Sequence, residues 1–100
     1  MPFEQLIPRQ FTSGGVHAYA PVASGVYGIS NAQEWIYIGE TDNIQDALLA
    51  HLRDVRASLM QRHPTGFVYE ICELARRPGR QDRLVTEYNP ACNRAASQHR

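Results

Sequence analysis

The sequence contains no lysine: its ten basic residues are all arginine, and ten acids balance them to a formal net charge of zero. A neutral chain exerts little long-range pull on a polyanion, so any contact with nucleic acid has to rest on a local patch and weaken as salt rises. Cysteine is scarce as well. With Cys72 and Cys92 alone, no Cys-x-x-Cys spacing and no second pair, there is no basis for a zinc site or a disulfide framework, and two free, mostly buried thiols are expected. No apolar run approaches the length that spans a bilayer, and the start Met1-Pro2-Phe3-Glu4 lacks the basic-then-apolar order of a secretory signal. A membrane is therefore not an expected partner, and the cytoplasm is the expected location. Internal repeats and low-complexity tracts are absent too.

What remains is 100 residues, 43% hydrophobic and 20% charged, which suits one domain with one core. The zero net charge hides an asymmetry. Residues 1–50 carry one arginine against five acids, and residues 51–100 carry nine arginines against five. Arginine alone suits bidentate phosphate contacts, and it equally fits a bias in base composition.

Residues 1–23 hold three prolines and a Gly14-Gly15 pair with little periodicity, which reads as an N-terminal extension whose Phe3, Leu6, Ile7 and Phe11 dock on the core. From Ser24 the chain turns aromatic and β-branched. Gly25-Val26-Tyr27-Gly28-Ile29 and Trp35-Ile36-Tyr37-Ile38 flank the polar Asn31-Ala32-Gln33, predicting a hairpin. A three-residue loop would set Ser30 against Glu34, Ile29 opposite Trp35 and Tyr27 opposite Tyr37, with both tyrosines on one face. Asp42 with Gln45 has the form of a capping box, and Ile44, Leu48, Leu52, Val55 and Leu59 make a stripe that predicts one helix running to about Arg62. His63, ahead of Pro64, is pushed off helical geometry. Phe67, Tyr69 and Ile71 alternate in a third strand, the 76–80 segment reads as a loop, and a short helix at 81–88 closes at Asn89-Pro90.

Gly25-Val26-Tyr27, nine residues, Tyr37-Ile38-Gly39, then Asn43, His51 and a closing Pro90 and Asn93 together resemble the GIY-YIG nuclease domain. The resemblance covers residues 24–93 and leaves 94–100 as a C-terminal tail. It implies an α/β (α+β) single domain, a three-stranded sheet flanked by helices, that hydrolyses phosphodiesters with water and one divalent metal, Mg2+ or Mn2+. Such a reaction needs a base for the water, a charge that stabilises the phosphorane and a group that neutralises the leaving oxygen. By the resemblance Tyr27 is tied to activating the water and Tyr37 helps arrange the site. Gly39 lets the backbone approach the substrate, and His51 is a group for phosphate or water. Read without it, the tyrosines are strand aromatics packed across a hairpin, Gly39 is a strand end, His51 flanks the helix's buried stripe and Asn93 caps the end of the fold.

Two positions depart from the pattern. The family's arginine falls on Ala47, and its metal-binding glutamate falls on Gln81 when the chain is aligned on Leu84-Val85 and Pro90 with Asn93. On a continuous helix Arg53 and Arg56 point roughly 240° and 180° away from position 47, and Arg62 lies roughly 22 Å along the axis. Glutamine offers a neutral oxygen, not the charge a hard dication favours. Asp82 is one residue off, and Glu87 is turned roughly 240° around the helix. The expectation is thus a domain with little or no nuclease activity and no bound metal, kept for binding DNA or RNA or a protein partner. Its candidate surface comprises Arg53, Arg56, Arg76, Arg77, Arg80 and Arg83, with Arg80, Arg83, Asn43 and Asn93 nearest the substrate. The alternative is a divergent, active endonuclease whose site is completed by another segment or a second chain, with Arg9, Arg80 or Arg83 supplying the missing cation.

Overall fold

The computed structural model describes residues 2–5 and 7–93. Leu6 and the 94–100 tail lie outside them. Four strands form one antiparallel sheet in the order β1-β4-β2-β3: β1 Arg9–Gln10, β2 Gly25–Ser30, β3 Trp35–Thr41 and β4 Gly66–Ile71. Helices α1 Ser13–Tyr19, α2 Ile44–Arg53 and α3 Ser58–Gln61 send Val16, Ile44, Leu48 and Leu59 onto the sheet face that carries Tyr27, Ile29 and Phe67. Helix α4, Arg77–Tyr88, covers the other face, where Leu84 meets Val26, Ile38 and Val68. Alternation along β2 therefore feeds two cores, and every β2 side chain is buried. No helix among the described residues is long and apolar enough to cross a membrane.

The sheet has four strands where three were expected, because the 1–23 segment supplies β1. Arg9 pairs with Phe67 and Gln10 with Gly66. A two-residue edge strand behind Pro8 has no alternation to betray it. Helix α1 forms despite its glycines because the Thr12 side chain accepts from Gly15 N at 3.0 Å. Phe3 and Phe11 dock as expected, whereas Ile7 stands 83% exposed.

The hairpin register differs from the expected one. Asn31 Oδ1 accepts from the Gln33 and Glu34 amides at 2.9 Å, which tightens a four-residue loop in place of three and pairs Ser30 with Trp35. A bulge follows between Ile29 and Ser30, so Ile29 pairs with Tyr37 and Tyr27 with Gly39. Each change slips the register by one, and two slips restore the face. Tyr27 and Tyr37 are diagonal neighbours, with centroids 6.1 Å apart.

The expected long helix is broken. Asn43, not Asp42, is the N-cap of α2, accepting from Asp46 N at 3.1 Å. The helix stops at Arg53, where Asp54 N bonds back to the His51 carbonyl at 3.2 Å. Beyond Leu52 a straight helix would carry its stripe past the sheet. The turn leaves Val55 67% exposed and returns Leu59 to the core at 6%. In contrast, α4 starts four residues early, since Pro78 fits the first turn of a helix, and it ends on Asn89 at φ 51° before Pro90.

Candidate functional site

Tyr27, on the central strand β2, is almost fully buried, and its hydroxyl lies 2.8 Å from His51 Nε2 on α2. Tyr37 completes a triad of rings, 5.4 Å from the imidazole centroid and 6.1 Å from Tyr27. Burial dominates the chemistry of all three. It pushes the Tyr27 phenol far up, reinforced by Tyr37, and raises Tyr37 with help from Cys92. It also lowers His51 below its ordinary value, against the opposing pull of Asp54. Near neutrality the phenol keeps its proton and the imidazole is uncharged, so Tyr27 donates to Nε2 and the ring proton resides on Nδ1.

Gly39 sits under this cluster. A Cβ there would lie 2.6 Å from the Tyr27 hydroxyl and 2.8 Å from the Tyr37 ring, so the residue admits the tyrosines rather than a turn. Ile38, between Tyr37 and Gly39, is clamped by Asn93, whose Oδ1 accepts from Ile38 N at 2.7 Å and whose Nδ2 donates to Ile38 O at 2.9 Å. Gln81 Nε2 donates to the same carbonyl at 3.1 Å. Tyr37, Gly39, Gln81 and Asn93 therefore meet around one stretch of β3, and Tyr27 and His51 close over Gly39. These are the positions that the motif spacing brought together on paper.

Other candidates lie elsewhere. Asn43 caps α2 and hydrogen-bonds Asp46 at 3.2 Å. Arg80 grips Glu70 with two contacts, at 2.8 and 2.9 Å, and reaches the Pro2 carbonyl. With Arg76 and Arg83 it lines a cleft of about 590 Å³ on the α4 side of the sheet. Arg53 and Arg56 are exposed beyond the tyrosines' helix end, and Arg9 stacks on Tyr19 at 4.4 Å. Arg77 is not a surface group at all. It is 6% exposed, with Nη1 on Asp42, Ser24 and the Thr41 carbonyl and Nε on Glu40, and the hydrogen bond from Asp42 leads in raising its pKa further. No sequence signal separates it from Arg76 beside it.

The position of the family's arginine is filled by Ala47, packed half-buried against the core that includes Tyr37 and Leu48. For a divalent cation the residues at hand do not fit. Gln81 is neutral with its amide nitrogen engaged, the phenols are held protonated, and no group of three or more His, Cys, Asp or Glu suited to a metal occurs among the described residues. What the pocket can do is move a proton. A water beside Tyr27 can pass its proton to the phenol oxygen while the phenol proton moves to His51 Nε2, with the neutral imidazole as final acceptor.

No family model matches the sequence, and no curated protein matches it. Solved structures do. The N-terminal GIY-YIG endonuclease domain of UvrC from Thermotoga maritima, bound to magnesium as its catalytic divalent cation, superposes with a TM-score of 0.64 at 18% identity, covering 76% of this chain and 92% of that one. A tyrosine-to-phenylalanine point mutant of that domain gives 0.64 at 17% identity over 76% and 91%. An asparagine-to-alanine mutant gives 0.64 at 18% over the same shares. The chain has a GIY-YIG-like fold: a small domain of antiparallel sheet and helices.

Proposed function

We propose that this domain binds nucleic acid and has little or no nuclease activity. The observation that carries the reading is local: around Tyr27, Tyr37 and His51 the neighbouring positions hold a methyl group at Ala47 and an amide at Gln81 that is bonded to a backbone carbonyl. Proton transfer alone does not hydrolyse a phosphodiester. The charge growing on phosphorus needs a preorganised cation, and removing one such donor typically costs about 10²–10³ in rate. Loss of a metal carboxylate compounds this, although groups that act as a unit do not add simply. Binding is cheaper to keep, because exposed arginines and stacking rings hold a strand without cleaving it. The magnesium-bound UvrC domain gives the fold's association with nucleic-acid chemistry.

A divergent active endonuclease is the second reading, favoured by the Tyr27–His51 pair, which is a working proton acceptor. Repair separates the two. Introducing Ala47→Arg with Gln81→Glu should raise nicking of a supercoiled plasmid in magnesium by at least about 10²-fold over wild type if those two groups are what is missing. Unchanged turnover in a folded double variant would mean that the loss lies deeper in the pocket. The glutamate should also swing outward, because a carboxylate cannot donate to the Ile38 carbonyl that Gln81 now holds.

A further inference from the structure

Arg62 lies where a continuous helix would not take it. The break after Arg53 and the short α3 bring it back to the β2–β3 turn, where its carbonyl accepts from Asn31 Nδ2 at 2.8 Å and its Nη1 meets both Glu34 carboxylate oxygens at 3.0 Å. The pair is half in water, with the Arg62 side chain 46% and the Glu34 side chain 33% exposed. Its other flank reaches the tyrosine pocket through Cys92. That thiol is hydrogen-bonded by the Arg62 side chain, lies close enough to Tyr37 to raise its phenol, and precedes Asn93, the clamp on Ile38. Met60 of α3, Cys92 and Tyr37 pack against one core.

We propose that Arg62 is the anion-binding group of the tyrosine pocket, with Glu34 as an internal carboxylate that occupies the guanidinium until a phosphodiester takes its place. A guanidinium fork accepts carboxylate and phosphate oxygens alike, so the two ligands compete for one site. Glu34 holds the fork poorly: one nitrogen meets both oxygens, in place of two parallel bonds, and an exposed pair contributes little to stability. Displacement is therefore easy. From the rim of the pocket Arg62 secures a phosphate in the ground state without standing in register at position 47, which agrees with a domain that binds and does not cut. The inference rests on the nucleic-acid reading above and names the residue that meets the phosphate.

Two titrations test it. The first follows a fluorescent single-stranded oligodeoxynucleotide by anisotropy across a salt series. Arg62→Gln should weaken binding about tenfold and lower the salt slope by about one. Arg62→Lys should lie between it and wild type, since it keeps charge without the fork. Glu34→Gln should bind several-fold tighter, to about the extent that a competing carboxylate is removed, and the exposed Arg76→Gln on the α4 side should leave the Tyr37 ring resonances responding to the strand as in wild type. The second adds inorganic phosphate and follows the Arg62 Nε–H resonance, expected to shift in wild type and at lower phosphate in Glu34→Gln. Thermal melts verify that Glu34→Gln and Arg62→Lys are folded. Oligonucleotide binding that is the same in Arg62→Gln, Glu34→Gln and wild type overturns the proposal, as does an Arg62 resonance indifferent to phosphate. If no variant binds the strand while phosphate still shifts Arg62, the anion site stands and the nucleic-acid reading falls.

Discussion

Tyr27 and His51 hold each other in the neutral state, and that mutual arrangement has a measurable pH signature. Burial keeps folded His51 below the value of 6.5 that it has in the open chain, so as pH falls the unfolded chain takes up the proton first. The stability contributed by the uncharged imidazole is therefore complete above about pH 6.5 and is lost as the pH falls through that value toward the lower folded pKa. Urea unfolding at about pH 7.5 and about pH 5.5 should show a larger loss for wild type than for His51→Gln, which retains an oxygen for the Tyr27 hydroxyl but does not titrate. Equal losses would mean that the imidazole is solvated in the folded state. The same pairing explains why the two tyrosines were legible from spacing and their partner was not. Tyr27 and Tyr37 announce themselves as strand aromatics with fixed separation. His51, one turn beyond Ala47, carries no mark that distinguishes a hydrogen-bonded pocket residue from one that merely flanks the stripe.

At the scale of elements, the hairpin decides what the glycine is for. An Asx-type turn at Asn31 and a bulge after it each slip the register by one residue, and their sum places Gly39 beneath the Tyr27 ring. Gly39→Ala should then force two buried rings apart, costing about 1–3 kcal/mol in chemical denaturation and breaking the Tyr27–His51 contact. A variant with wild-type stability and an unchanged His51 titration would contradict that packing. Both tyrosines were correctly assigned to one face from the sequence, although the pairing itself was not, because a period of two is indifferent to a shift of two. The first helix was legible in its stripe and cap region, whereas its end was not. Hydrophobic spacing continues through Val55 to Leu59 in the sequence, and only the finite width of the sheet reveals that the chain has to turn back. That turn is what returns Arg62 to the pocket.

The whole molecule is a sheet with different chemistry on its two faces. Tyr27, Tyr37 and His51 belong to the α1–α3 side, while Arg76, Arg80 and Arg83 surround a cleft on the α4 side, so the arginine-rich half of the sequence does not form one basic surface. Charge counted along the chain foretold the asymmetry but not its partition, because Arg77 is buried among Glu40, Asp42 and Ser24 and Arg80 is paired with Glu70. The fold and the motif positions were legible from spacing; the destinations of individual guanidiniums were not, since ten identical side chains differ only in where the backbone takes them.

The most direct measurement is nicking of supercoiled plasmid by the wild-type protein in magnesium and in manganese. A pocket that can accept a proton but has no in-register guanidinium or carboxylate should leave the plasmid supercoiled, with Tyr27→Phe indistinguishable from wild type. Robust metal-dependent nicking that disappears in Tyr27→Phe would contradict the account.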